Sequence, residues 1–272
     1  MGNEGASAGH TAGTLKENTE ERIPLAVQMK ETAINVQIWK SYHDIVDISL
    51  ISPAGVQIGP IPEVIGTQRF VIGDTEILLY YGEPSPFHVS QEIFIEFLPK
   101  NSYITPGIWQ FVLTPRKIVT GEYDLWLPSE NVLNRGTAFR YPTERGTLTI
   151  PSTSQRVISV GAYDSLTFAY ADFSGRGGLE GESKPDLVAP GVDITAPTPS
   201  GIYQTFTGTS FATPFVSGAA ALMMEWGIVR GNDPYLYGEK VKAYLRRGAR
   251  PLPGFTEYPN PQVGYGEDVI IR

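Results

Sequence analysis

The chain has 272 residues, a net charge of −8 at pH 7, 41% hydrophobic and 18% charged residues, and no cysteine. That length and balance describe one or two globular domains with a sizeable core rather than a disordered chain. The acidic charge argues against non-specific nucleic-acid binding, and the lack of cysteine excludes a disulfide framework, a thiolate metal site and a cysteine nucleophile. The 29 glycines and 22 prolines favour strands and turns over long helices. Arg246-Arg247, near a helix end, is the one basic cluster. No apolar stretch reads as a membrane span of about 20 residues. The polar, glycine-rich start does not read as a signal peptide.

In chain order, Gly2-Asn3-Glu4-Gly5 reads first as a turn built from residues that tolerate the left-handed region. Gly9-His10-Thr11 then reads as a turn leaving that segment. From about 16 to 145 the pattern has period two. Ala33 to Trp39 alternates apolar and polar residues, as a half-buried strand requires. Ile23 to Met29, Val46 to Ile51, Thr67 to Ile72, Glu76 to Tyr81, Gln91 to Leu98, Gly107 to Leu113 and Tyr123 to Leu127 are further strands, with turn signals such as Ser52-Pro53-Ala54-Gly55 between them. About eight strands so spaced predict a β-sandwich of jelly-roll type. His43 and His88 are expected in surface loops. Asp44, Asp47 and Asp124 would suit a calcium site by residue type, but acids scattered in this way are ordinarily solvated.

After residue 146 buried strands alternate with helices. Val157 to Ala162 is β-branched and closed by glycine, and Asp193 to Ala196 and Tyr203 to Phe206 follow. A helix is expected over 210–226, with Val216, Ala219, Ala220, Met223 and Met224 on one face and small residues on the other, a pattern that predicts packing on all sides. A second helix is expected over 238–247, with Val241, Tyr244 and Leu245 inward and Gly248 as C-cap.

Between Tyr203–Phe206 and the first helix stands Gly208-Thr209-Ser210-Phe211-Ala212-Thr213-Pro214. A serine here has its hydroxyl at a helix N-terminus, where backbone N–H groups can face developing negative charge. Pro214 suits a first helical turn. The heptapeptide resembles the G-T-S-x-A-x-P nucleophile motif of subtilisin-like serine proteases, the subtilases. Lys184-Pro185-Asp186-Leu187-Val188-Ala189-Pro190-Gly191 resembles the family's K-P-D-[IL]-x-A-P-G segment. Phe173-Ser174-Gly175-Arg176-Gly177 resembles its F-S-[SN]-x-G segment, and Val157 to Ala162 resembles its V-x-V-G-A strand. The resemblance covers 146–248, and Gly2-Asn3-Glu4-Gly5 resembles the family's G-N-x-G turn. It implies Ser210 as nucleophile, Asn3 as side-chain donor to the oxyanion, the Ser210 backbone N–H as second donor, and no metal or organic cofactor.

In the family the triad aspartate and histidine both precede that asparagine, so neither is expected in this chain. His10 faintly echoes the tail of the histidine motif but lacks the H-G-T before it and follows Asn3 rather than preceding it. The expected fold is α/β: the carboxyl-side part of a subtilisin-like parallel-sheet domain (1–15 and 146–272) interrupted by an all-β jelly-roll or β-sandwich insert (16–145), as in clostridial-type subtilases. Three functions stay open. The first is part of a bacterial serine endopeptidase that is inactive without the half carrying aspartate and histidine, with protein or peptide as substrate. The second is a non-catalytic binding module acting through the sandwich, and the third a hydrolase using His10. The compartment is not fixed.

Overall fold

A computed structural model describes residues 1–178 and 183–268. The chain divides into two compact units, Ser7–Thr143, and Met1–Ala6 with Glu144–Arg272.

Residues 7–143 form eleven strands: β1 (His10–Thr14), β2 (Glu21–Val27), β3 (Ile34–Ser41), β4 (Ile45–Ile51), β5 (Gln57–Ile61), β6 (Thr67–Ile72), β7 (Thr75–Tyr81), β8 (Ser90–Pro99), β9 (Gly107–Lys117), β10 (Glu122–Trp126) and β11 (Ala138–Phe139). They make two antiparallel sheets, ordered β1-β10-β3-β8-β7-β6 and β11-β2-β9-β4-β5. Strict alternation along β3 and β8 sends Ile34, Val36 and Ile38 inward beside Phe97, Ile95 and Ile93, their cross-strand partners. The two sheets share one core. Phe97 of β8 meets Trp109 and Phe111 of β9 edge-on, at 5.1 and 6.1 Å between ring centroids, a favoured aromatic geometry.

Two strands here carry no strong pattern in the sequence. β5 contains Gly59 and Pro60 and lies at the edge of its sheet, where a residue without an N–H is tolerated. β1 is small and polar, yet pairs along its length with β10, His10 opposite Trp126 and Thr14 opposite Glu122. Residues 10–14, grouped by sequence with the leading segment, therefore belong to the all-β unit. His10 is in a strand, not a turn.

The other unit contains β12 (Val160–Asp164), β13 (Ala169–Tyr170), β14 (Leu187–Pro190), the hairpin β15 (Ile194–Pro197) and β16 (Tyr203–Phe206), and the helices α1 (Thr209–Met224) and α2 (Gly238–Gly248). β12 pairs parallel with β14 and antiparallel with β13. Val160, Ala162, Leu187 and Ala189 pack with Ala212, Val216 and Ala219 of α1 and Val241 and Leu245 of α2.

Four details differ from expectation. α1 is packed on one face only: Thr209, Ala212, Val216 and Ala219 are buried, while Pro214, Ser217, Gly218, Ala221 and Leu222 are exposed. Small uncharged residues on the bare face hide its exposure from a hydrophobicity pattern. Met224 is exposed, because at 100° per residue it falls off the face shared by Ala212, Val216 and Ala219; a π-turn over Glu225–Val229 follows it. On α2, Lys242 is buried whereas Tyr244 is 40% exposed, and Ala249 rather than Gly248 is the C-cap. The continuous helical stretch Thr209–Val229, 21 residues, is long and apolar enough to cross a membrane by length and composition. Its inward face is the one packed into this core.

Candidate active site around Asn3 and Ser210

Gly208, the N-cap of α1, has φ 153° and ψ 159°, a region almost confined to glycine. A Cβ there would stand 3.2 Å from Asn3 Nδ2. No local side chain caps α1. The cap comes from the far end of the sequence: the Thr209 N–H donates to Asn3 Oδ1 at 3.0 Å, and Thr209 Oγ1 lies 3.0 Å from the same oxygen and 2.8 Å from the Met1 carbonyl. A backbone N–H can only donate, so the atom facing it is the amide oxygen, and the orientation of the Asn3 amide follows. Its Nδ2 is turned away from these bonds and, among the described residues, makes no hydrogen bond.

Ser210 is the second residue of α1 and is exposed, as is Asn3. Its backbone N–H is one of the first-turn donors that lack an intrahelical acceptor. Within its own unit no described residue hydrogen-bonds to its hydroxyl. Phe211 stacks on Phe206 at 4.9 Å and 10°, fixing the turn into the helix from its other side.

The remaining motifs buttress this turn. The Gly208 N–H donates to the Gly191 carbonyl at 2.8 Å, and a Cβ on Gly191 would come within 2.6 Å of the Ala162 Cβ. Residues 1–6 are clipped to the Phe173-Ser174-Gly175 loop: Gly5 N–H donates to Phe173 O at 2.9 Å and Gly175 N–H to Gly2 O at 3.0 Å. A Cβ at Gly5 would lie 2.1 Å from the Ser174 carbonyl oxygen, so only glycine fits. Ser174, fully buried, accepts the Ala162 N–H at 3.0 Å. The structure thus brings Asn3 to the Ser210 helix end and gathers all five motifs around it. Thr209 as the clamp on Asn3 is legible only in hindsight, since nothing in the sequence pairs it with residue 3.

The histidines and acids singled out by sequence belong to the all-β unit. His10 is 2% exposed, with Nε2 2.8 Å from Asp124 Oδ1 and its ring stacked on Trp126 at 4.6 Å. His43 and His88 are exposed, beside Ser41 and Trp39 respectively. The three acids serve separate ends. Asp124 pairs with His10, Asp47 with Arg116, and Asp44 is buried rather than solvated. Its carboxylate accepts the N–H groups of Val119, Thr120 and Gly121 and the Thr120 hydroxyl, pinning the turn between β9 and β10. Burial opposes its ionisation, but those bonds outweigh it and hold the carboxyl below its usual range. No group of three or more His, Asp or Glu suited to a metal occurs among the described residues.

Residues 141–266 match the Subtilase family (peptidase S8). This segment, a little under half of the chain, is a subtilase-family segment. The chain is 38% identical over 105 residues to the intracellular serine protease of Paenibacillus polymyxa, covering 37% of this chain and 30% of that protein. It is 35% identical over 123 residues to the serine protease AprX of Bacillus subtilis, covering 38% of this chain and 26% of that protein. Among solved structures, the CspB protease of Clostridium perfringens aligns with a TM-score of 0.91 and 39% identity, over 99% of this chain and 56% of that one. The chain therefore spans under a third of these two curated relatives and little more than half of the CspB protease structure.

Proposed function

We propose that this chain is the nucleophile-bearing part of a bacterial subtilisin-like serine endopeptidase. Ser210 Oγ attacks the scissile carbonyl of a protein or peptide substrate and forms an acyl-enzyme that water then hydrolyses. The Asn3 Nδ2 and the Ser210 backbone N–H donate to the oxyanion of the tetrahedral intermediates. A histidine, oriented by an aspartate, takes the serine proton and returns it to the leaving amine. Both come from polypeptide outside this chain. The observation that carries the reading is the Thr209–Asn3 link, which fixes a side-chain amide at the helix end bearing the serine.

The all-β unit is an inserted β-sandwich of the jelly-roll type. The chain leaves the Ser210 unit after residue 6 and re-enters it at 144, which supports that reading. The need for more polypeptide is supported by the bare face of α1 and by Leu222, Trp226, Val229, Tyr235 and Tyr237, all more than half exposed. Soluble monomers rarely leave so much apolar side chain uncovered along one segment.

Fluorophosphonate labelling tests the proposal. The chain alone should label at Ser210 far more slowly than an intact subtilase. Co-expression with the part of the C. perfringens CspB protease that this chain does not match should raise the rate, and Ser210→Ala should abolish it. Rapid labelling of the chain alone would refute the missing-base reading, and no labelling in any complemented form would favour a binding role.

A further inference from the structure

Within the unit that carries Ser210, but lined by none of residues 1–6 or 208–211, lies a cavity of about 500 Å³. That is within the range of small-molecule pockets. Its charged lining is Arg156, Lys184, Glu239, Lys242 and Arg246. Asp186, fully buried, receives ion pairs from three of them: Lys184 Nζ at 3.1 Å, Lys242 Nζ at 3.2 Å, and Arg246. Among the described residues, one carboxylate against three cations leaves two positive charges in excess, and the charges of Arg156 and Glu239 offset each other.

The ammonium groups are held in place without being neutralised. Lys184 Nζ donates to Val157 O at 2.7 Å and to Ser159 Oγ at 2.9 Å; Lys242 Nζ donates to Gln155 O at 2.5 Å and Val157 O at 2.9 Å. These acceptors are dipoles, so they order the cations and leave the net charge intact. Lys184 and Lys242 are only 3% and 7% exposed, a rare state for lysine unless it has a charged partner. Burial, with added repulsion from Lys184 and Arg246, holds the Lys242 ammonium below the usual lysine range even though Asp186 opposes the shift. Arg156, exposed on the same cavity, has no ion pair or hydrogen bond among the described residues.

We propose that this cavity is an oxyanion site that takes a phosphate group, free or carried on a small molecule. A dianion matches the two excess charges, the Arg156 guanidinium supplies unused donors in fork geometry, and the small side chain of Ala243 leaves room beside them. Preordered cations with too few counter-charges gain most from an arriving anion, because their desolvation has already occurred in folding.

Calorimetric titration of the full chain with inorganic phosphate and with O-phosphoserine, at ionic strength held constant with sodium chloride, tests this. Saturable one-to-one binding is expected, with a rise in melting temperature. Arg156→Ser, at an exposed position, should weaken binding about tenfold, the loss expected from one charge-assisted hydrogen bond. Lys242→Met should abolish it. Tighter binding of phosphoserine would mean a carried phosphate, and tighter binding of inorganic phosphate the free ion. Absence of saturable binding of either, or an affinity unchanged by Arg156→Ser, would overturn the proposal.

Discussion

The backbone N–H of Thr209 donates to the side-chain oxygen of Asn3 at 3.0 Å, joining residues 206 positions apart. This bond caps a helix and at the same time sets the direction in which the asparagine presents its NH₂. Thr209 Oγ1 reinforces it from the same oxygen. Thr209→Val keeps the N–H and removes the hydroxyl. In the complemented enzyme it should lower kcat by about 2–10-fold, the worth of one neutral hydrogen bond, with KM little changed. Asn3→Ala should cost about 10²–10³ in kcat, the loss associated with the corresponding donor of subtilisin. Steady-state kinetics that split kcat from KM check both. A fall in KM alone would remove Thr209 from the positioning role.

Gly208→Ala places a Cβ on backbone that only glycine adopts readily, 3.2 Å from Asn3 Nδ2. Destabilisation of about 1–3 kcal/mol is expected from the backbone alone, read as an unchanged urea m-value with a lower midpoint. A neutral result would mean that the turn relaxes without cost and that Asn3 is not tightly registered to it.

Asp186→Asn leaves Lys184, Lys242 and Arg246 without their shared carboxylate. Removing one partner of a buried ion cluster costs about 3–5 kcal/mol. Added phosphate should recover part of that loss in thermal melts, which separates this site from a purely structural cluster.

The all-β unit should show both limbs of a pH profile. Asp44 is held below its reference of 3.8, so its contribution is complete above that value and is lost as pH falls through its folded pKa. Asp44→Asn should flatten that acid limb. Tyr123 is pushed up to about 12 from 10.0, chiefly by burial. Between those values the unfolded phenol loses its proton while the folded one keeps it, so stability declines from pH 10 to 12. Tyr123→Phe should reduce this alkaline loss, the remainder coming from Tyr81, whose phenol burial also pushes up. Denaturant melts across pH, followed by tryptophan fluorescence, to which Trp39, Trp109 and Trp126 of this unit contribute, measure both.

The exposed apolar side chains between 222 and 237 predict self-association of the chain on its own. Sedimentation velocity over a concentration series should show it, and the complementing polypeptide should suppress it. A monodisperse monomer at high concentration would count against the need for further polypeptide.

Strands with strong alternation, such as β3 and β8, were legible in the sequence because half-burial imposes period two on their composition. β1 and β5 were not, since the small residues of one and the Gly-Pro of the other carry no pattern, and their place is decided by β10 and β4. The glycine motifs were legible because close approach leaves no alternative residue at Gly5 and Gly191, and because Gly208 holds a φ that side chains rarely adopt. Thr209 as clamp, buried Asp44 and buried Lys242 were invisible: each owes its environment to residues far away in sequence. α1 misled for a different reason, as alanine, serine and glycine look alike whether covered or bare.

The clip between residues 1–6 and the 173–175 loop also sets an order of events during synthesis. Residues 1–6 precede the all-β unit, but their partners at 173–175 and 209 follow only after that whole unit has been translated. At about 5–20 residues per second, Asn3 waits on the order of 10–40 s for Thr209. Every strand of the two-sheet unit is available before then. Asn3 is thus made well before its contacts, which delays assembly of the Ser210 centre until α1 has been translated.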